Sequence, residues 1–322
     1  MNKKTSKILK IILPLLLGFI FIWYSLQSAT PQERRELLDN IVNANPFWLI
    51  LSLVFGTLSH MSRAYRWQYM LEPMGYKPRF ANSFMAVMAG YLANFGIPRS
   101  GEVLRAATLS SYEKVPFEKA FGTIISERIA DIVIMLAIMG FTLILQTEHL
   151  LTYFKANQIN PLVTIAILFV LLLAGIGFIW LIKRSNLPFL IKIRKMAQGL
   201  IEGMRSIFRM KQKWAFLFHT LFIWLMYILM FYVISFSVPE MVPPELGMML
   251  AAFVVGSLAI SATNGGIGVY PVAIGAILVL FGISKQSGEA FGWLTWGTQT
   301  LLVLVLGALS FIILPLFNRK NN

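Results

Sequence analysis

The sequence predicts an all-α integral membrane protein: about six full transmembrane helices plus two broken or re-entrant helical hairpins, in a single polytopic domain over residues 1–322. Three observations carry this. Hydrophobic residues make up 57% of the chain and charged residues only 13%, which is more apolar surface than a water-facing exterior accommodates. Several apolar runs reach the roughly 20 residues that a hydrocarbon core about 30 Å thick demands of a helix. Two further apolar regions are interrupted near their middles, an irregularity tolerated at membrane depth only where the backbone is buried in protein or lines a cavity.

The elements follow in order. Lys3, Lys4, Lys7 and Lys10 precede an apolar run through Leu26. That run is long for a signal-peptide core and no A-x-A cleavage site follows it, so 1–26 is expected to be an uncleaved anchor helix spanning at 8–26. Further spans are predicted at 47–67, 120–146, 161–182, 214–236 and 290–315. The broken regions are 80–115, interrupted at Gly96-Ile97-Pro98-Arg99-Ser100-Gly101, and 245–283, interrupted at Asn264-Gly265-Gly266-Ile267-Gly268. Between spans, 183–213 carries apolar residues at helical spacing among basic ones, as does a helix lying on an anionic leaflet.

Charge sets the expected sidedness. The chain has 28 Lys+Arg against 14 Asp+Glu, and the excess flanks apolar runs, as the positive-inside rule requires. That distribution argues for lipid and against nucleic acid as the partner. Segment 183–213 holds nine Lys/Arg and one acid, Glu202, whereas 27–46 and 237–245 carry net negative charge. Counting spans from a cytoplasmic N-terminus places the first segment inside, the other two outside, and both termini in the cytoplasm of a bacterial-type inner membrane.

The order span, broken hairpin, span occurs twice, over 47–146 and 214–315. Ala120-Phe121-Gly122 opens one closing span and Ala290-Phe291-Gly292 the other. The predicted topology runs the copies in opposite directions, an inverted repeat of the kind that places a binding site beside broken helices at the repeat interface.

Charges within the apolar runs mark the candidate site. Glu127, Arg128 and Asp131 share one side of a helix, and Asp131 lies roughly 16 Å beyond Ala120 at 1.5 Å per residue. An ionised group at such depth costs about 2.5–3.5 kcal/mol, so it faces a cavity or a partner; a structural ion pair is the alternative. Asn94, Arg99, Ser100, Glu102 and Arg105 surround the first break, where freed backbone amides beside an arginine suit a phosphate; a solvated loop is the alternative. Arg63 and Arg66 end the second span and are secondary candidates beside their reading as interfacial, snorkelling side chains. Asn264, Gly265, Gly266 and Gly268 are secondary candidates in the second break. No cofactor or metal is expected: there is no cysteine, the three histidines have no ligand spacing, and no Walker A motif is present.

Asn94, Pro98, Gly101, Glu102 and Arg105, followed by Glu127, Arg128 and Asp131, together resemble the lysylphosphatidylglycerol synthase transmembrane-region family, also called the flippase-like domain family. Arg63-Ala64-Tyr65-Arg66-Trp67 and Gly265-Gly266-Ile267-Gly268 are similar to its other recurring features, so that the resemblance covers 45–315. It implies a fold of broken and full membrane helices and a role with phospholipids or lipid-linked substrates. In bifunctional members this region is thought to move an aminoacylated lipid between leaflets, and a soluble aminoacyl-transferase domain follows it. Here Asn322 comes just after the last span, so a stand-alone member without aminoacylation chemistry is expected. The expected function is translocation of an anionic phospholipid or lipid-linked substrate. The alternatives are a membrane-embedded enzyme acting on lipid-linked sugar or phosphate, with Glu127, Asp131 or Glu102 as base, and a non-catalytic scaffold for lipid-synthesis enzymes.

Overall fold

A computed structural model describes residues 29–97, 100–148, 211–263 and 265–319, together with isolated positions between 20 and 27 and between 152 and 191. The expected spans 8–26 and 161–182 and the basic helix 183–213 lie outside the described residues, apart from a few positions. Among the described residues the regular structure is entirely helical. The α-helices are α1 (Pro31–Val42), α2 (Pro46–Leu71), α3 (Phe80–Gly96), α4 (Gly101–Glu113), α5 (Phe117–Leu145), α6 (Lys213–Ile234), α7 (Leu246–Ala262), α8 (Val269–Val279) and α9 (Lys285–Asn318).

Three of these are long and apolar enough to cross a membrane: α5, α9, and α6 with its 3-10 extension to Ser237. Helices α1 and α2, bent by 65°, make a fourth if taken as one broken span. Four of the six expected spans, 47–67, 120–146, 214–236 and 290–315, fall on these helices; the other two lie outside the described residues. The lipid-compatible surface is plain on α5, where Ile132, Leu136 and Ile144 are 57, 60 and 73% exposed, while Thr123, Glu127 and Asp131 are buried and Arg128 is partly so. Polar inside and apolar outside is what a hydrocarbon solvent selects.

Both interrupted regions form hairpins of short helices. The 17 residues of α3 and 13 of α4 extend roughly 25 and 20 Å, and α7 and α8 have 17 and 11 residues. None reaches the roughly 30 Å of a full core. Gly265, Gly266 and Gly268 turn the second break with φ of 72, 77 and 69°, conformations that L side chains avoid.

Each half owns an apolar core. Trp67, Leu71, Val87, Leu109 and Ile124 join α2, α3, α4 and α5; Phe231, Phe253, Ile274 and Phe291 join α6, α7, α8 and α9. The halves meet where α2 packs along α6. Ser52 Oγ donates to the Met230 carbonyl at 2.9 Å and Ser59 Oγ to that of Ile223 at 3.3 Å, so small hydroxyl residues bring the two backbones close. Helix α3 also packs on α9, and α7 on α5, so each hairpin leans on the closing helix of the other half.

Candidate functional site

Helix α5 holds the centre of the site. Asp131 has 14 residues of α5 on either side, about 21 Å from each end, so it does not sit at a helix terminus. Its carboxylate accepts from Arg63 Nη1 at 2.9 Å and Arg66 Nη1 at 2.8 Å, and Arg128 Nη1 stands 3.6 Å away. One turn earlier, Glu127 is fully buried and takes both Nη groups of Arg105, at 2.7 and 3.1 Å. Arg66 Nη2 is 3.8 Å from the same carboxylate. The fork-to-fork geometry of Arg105 and Glu127 is the strongest and most directional form of this pairing.

Arg63 and Arg66 correct the sequence reading. They do not end α2, which continues to Leu71, and they do not snorkel: they are 2 and 0% exposed. Their attachment to Asp131 makes them central members. Arg63 Nη2 also reaches the Tyr227 hydroxyl at 3.5 Å, and Arg66 Nη1 donates to Thr220 Oγ1 at 3.2 Å, both on α6. Arg105 lies over the Trp67 ring with its guanidinium carbon 3.8 Å from the centroid, a cation–π contact. Trp67 Nε1 in turn donates to Thr123 Oγ1 at 2.8 Å.

At the first break, Asn94 Oδ1 accepts from the Gly101 amide at 2.8 Å, and Ser100 Oγ donates to the carbonyls of Ala93 and Ile97 at 3.1 and 2.7 Å. These two residues shape the start of α4. A Cβ on Gly101 would lie 2.2 Å from the Gly90 carbonyl oxygen, which is why α3 and α4 can touch here. Glu102 turns to Arg128, 3.3 Å away. A small open cleft lies beside these residues, lined by Tyr91, Asn94, Gly101, Glu102, Arg105 and Arg128 among others. Arg128 and Glu102 are its accessible charges, with side chains 41 and 27% exposed.

The predicted residues Asn94, Ser100, Glu102, Arg105, Glu127, Arg128 and Asp131 are thus brought together, with Arg63 and Arg66 added. Arg99 and Asn264 lie outside the described residues. The second break comes near without supplying charge: Gly265 approaches the Phe95 ring, and its carbonyl accepts from Trp296 Nε1 at 2.7 Å. The sequence reading missed Trp67, Thr220, Tyr227 and the Tyr91 hydroxyl, which is 3.3 Å from that of Tyr227. The available signal was an aromatic residue with a polar atom inside an apolar run, which is common at membrane interfaces and carries little specificity.

Four guanidinium groups face three carboxylates among the described residues, leaving one net positive charge. The Nε atoms of Arg63, Arg66, Arg105 and Arg128 are buried without an acceptor among those residues. Such a site can take an anion. Glu127 and Asp131 are already committed as acceptors to arginines, which leaves neither poised to take a proton from a substrate.

The sequence model described as the lysylphosphatidylglycerol synthase TM region matches residues 11–307. A UPF0104 membrane protein, MJ1595, of Methanocaldococcus jannaschii is 31% identical over 152 residues, 46% of this chain and 44% of that protein's length. The chain therefore spans less than half the length of this curated relative. No solved structure matches the chain.

Proposed function

The chain belongs to the lysylphosphatidylglycerol synthase transmembrane-region family, and on that premise we propose that it is a lipid translocase, carrying the headgroup of an anionic phospholipid or lipid-linked substrate past the buried arginine cluster. The observation that carries this reading is the net positive ionic network of Arg63, Arg66, Arg105 and Arg128 with Glu102, Glu127 and Asp131, beside a cleft at a helix break. Phosphate is the anion that guanidinium forks and a freed helix N-terminus suit best. Acyl chains stay against the apolar exterior of α5 and α9 while the headgroup uses the cleft.

The inverted repeat belongs to this proposal. It is supported by the pairing of α3 with α9 and of α7 with α5, by the α2–α6 seam, and by one apolar core in each half. In that arrangement the first half carries the ionic chemistry, since Glu127, Arg128 and Asp131 correspond to Gly297, Thr298 and Leu301. Residence in a bacterial-type cytoplasmic membrane with both termini inside completes the reading, resting on the charge asymmetry of the flanking segments.

The test is leaflet exchange in proteoliposomes, with fluorescent phosphatidylglycerol beside fluorescent diacylglycerol and a membrane-impermeant quencher. Protein-dependent exchange of the phosphate-bearing lipid is expected, with diacylglycerol at the protein-free rate. Equal rates for phosphatidylglycerol with and without protein, whatever ion gradient is applied, would sink the proposal.

A further inference from the structure

Building on the translocase reading, we infer that Glu102 couples the anion to a proton: when a headgroup phosphate takes Arg128, Glu102 loses its counter-charge and binds one proton, so that phosphate and proton occupy the cleft together. The three carboxylates of the network are not equivalent. Glu127 is held twice by Arg105 and approached by Arg66, and Asp131 is bonded by Arg63 and Arg66 with Arg128 nearby. Either keeps a guanidinium if one arginine is drawn away. Glu102 is paired with Arg128 alone among the described residues, at 3.3 Å.

The same pair is the one that an entering anion meets. Arg128 and Glu102 have the most exposed side chains of the network, 41 and 27%, against 10% or less for the others. The groups facing Glu102 are few. From α5 come Arg128 and, behind it, Asp131; from α3 come Tyr91 and Asn94; on α4 itself Arg105 lies one turn on, with both Nη groups held by Glu127. Arg99 precedes it by three residues and lies outside the described residues. A phosphate that binds Arg128 removes that counter-charge and sets a second negative charge beside Glu102. Ionisation of a sheltered carboxylate then becomes unfavourable, and a proton from solvent neutralises it.

Two consequences follow. A singly charged phosphodiester and its proton cross with no net charge, so the membrane potential does no work against them. By reciprocity, an anion that brings a proton with it binds more tightly as pH falls.

The experiment is titration calorimetry of the full chain in detergent with glycerophosphoglycerol, a phosphodiester that does not itself titrate between about pH 5 and 8. Each titration is repeated in two buffers of different ionisation enthalpy, which counts protons. Uptake is expected to approach one proton per bound headgroup at the acid end and to fall toward zero at the alkaline end. Glu102→Gln should still bind, with no uptake and no pH dependence, whereas Glu102→Asp should retain uptake. Binding to wild type without uptake anywhere in this range, or uptake that survives in Glu102→Gln, overturns the inference and leaves the translocase reading standing. No binding at millimolar headgroup removes the phosphate site itself, and both readings with it.

Discussion

Replacing Asp131 by Ala strands two buried cations. Arg63 would keep only the Tyr227 hydroxyl at 3.5 Å, and Arg66 would keep Thr220 at 3.2 Å and the distant Glu127 at 3.8 Å. Both guanidiniums are 2% exposed or less, so water cannot replace the lost carboxylate without opening the α2–α5–α6 contact. Breaking a buried pair on one side costs about 3–5 kcal/mol, far above the roughly 1 kcal/mol or less of an exposed pair. For a chain of this size the melting temperature in detergent should fall by about 4–7 °C. Tryptophan fluorescence reads it, since Trp67 lies fully buried in the same core. Adding Arg63→Gln to Asp131→Ala should recover part of the loss, because it removes one stranded cation, and the two changes should therefore be non-additive. A melting temperature within about 2 °C of wild type for Asp131→Ala, or strict additivity in the double variant, would refute the claim that this network holds the three helices together.

Other perturbations separate structure from surface. Gly101→Ala places a Cβ 2.2 Å from the Gly90 carbonyl and should cost about 1–3 kcal/mol as overpacking, whereas Gly96→Ala meets nothing within 4 Å and should leave the melting curve unchanged. Trp67→Phe removes the indole bond to Thr123 and weakens the stacking on Arg105, for about 1–3 kcal/mol in total, again read by melting. Outside the spans, hydrogen bonds from the Thr30 amide and hydroxyl region hold the Glu33 carboxyl below its ordinary value of 4.5. A depressed carboxylate stabilises at pH above its unfolded value and ceases to as pH falls through the lower folded value. A spin label on α1 should therefore show the helix start loosening only in that acid window, and Glu33→Gln, which removes the titrating carboxyl, should abolish the transition.

The broken hairpins were legible because glycine, with proline and charge in the first, interrupts their apolar runs; the structure places them at 80–113 and 246–279 against expected limits of 80–115 and 245–283. The carboxylates Glu127 and Asp131 were legible for the same reason, as charges where hydrocarbon forbids them. Arg63 and Arg66 were misplaced because a basic pair followed by Trp67 has the composition of an interfacial helix end. What buries them is the register between α2 and α6, fixed by Ser52, Ser59 and Ser62 against the α6 backbone. Small hydroxyl residues give no hint of their partner. Trp67 and Tyr227 were hidden in the same way: their apolar rings fit any span, and only the fold puts a guanidinium beside each.

The most direct test of the account is the rate of phosphatidylglycerol exchange in proteoliposomes with Arg128→Gln beside wild type. Arg128 is partly exposed and bonded at 3.3 Å or beyond, so its loss should leave melting close to wild type. Exchange should nevertheless fall at least tenfold, as expected when a charge-assisted phosphate contact worth about 1.5–3 kcal/mol is lost. Wild-type exchange rates in a folded Arg128→Gln variant would contradict it, placing the lipid path away from the ionic cluster.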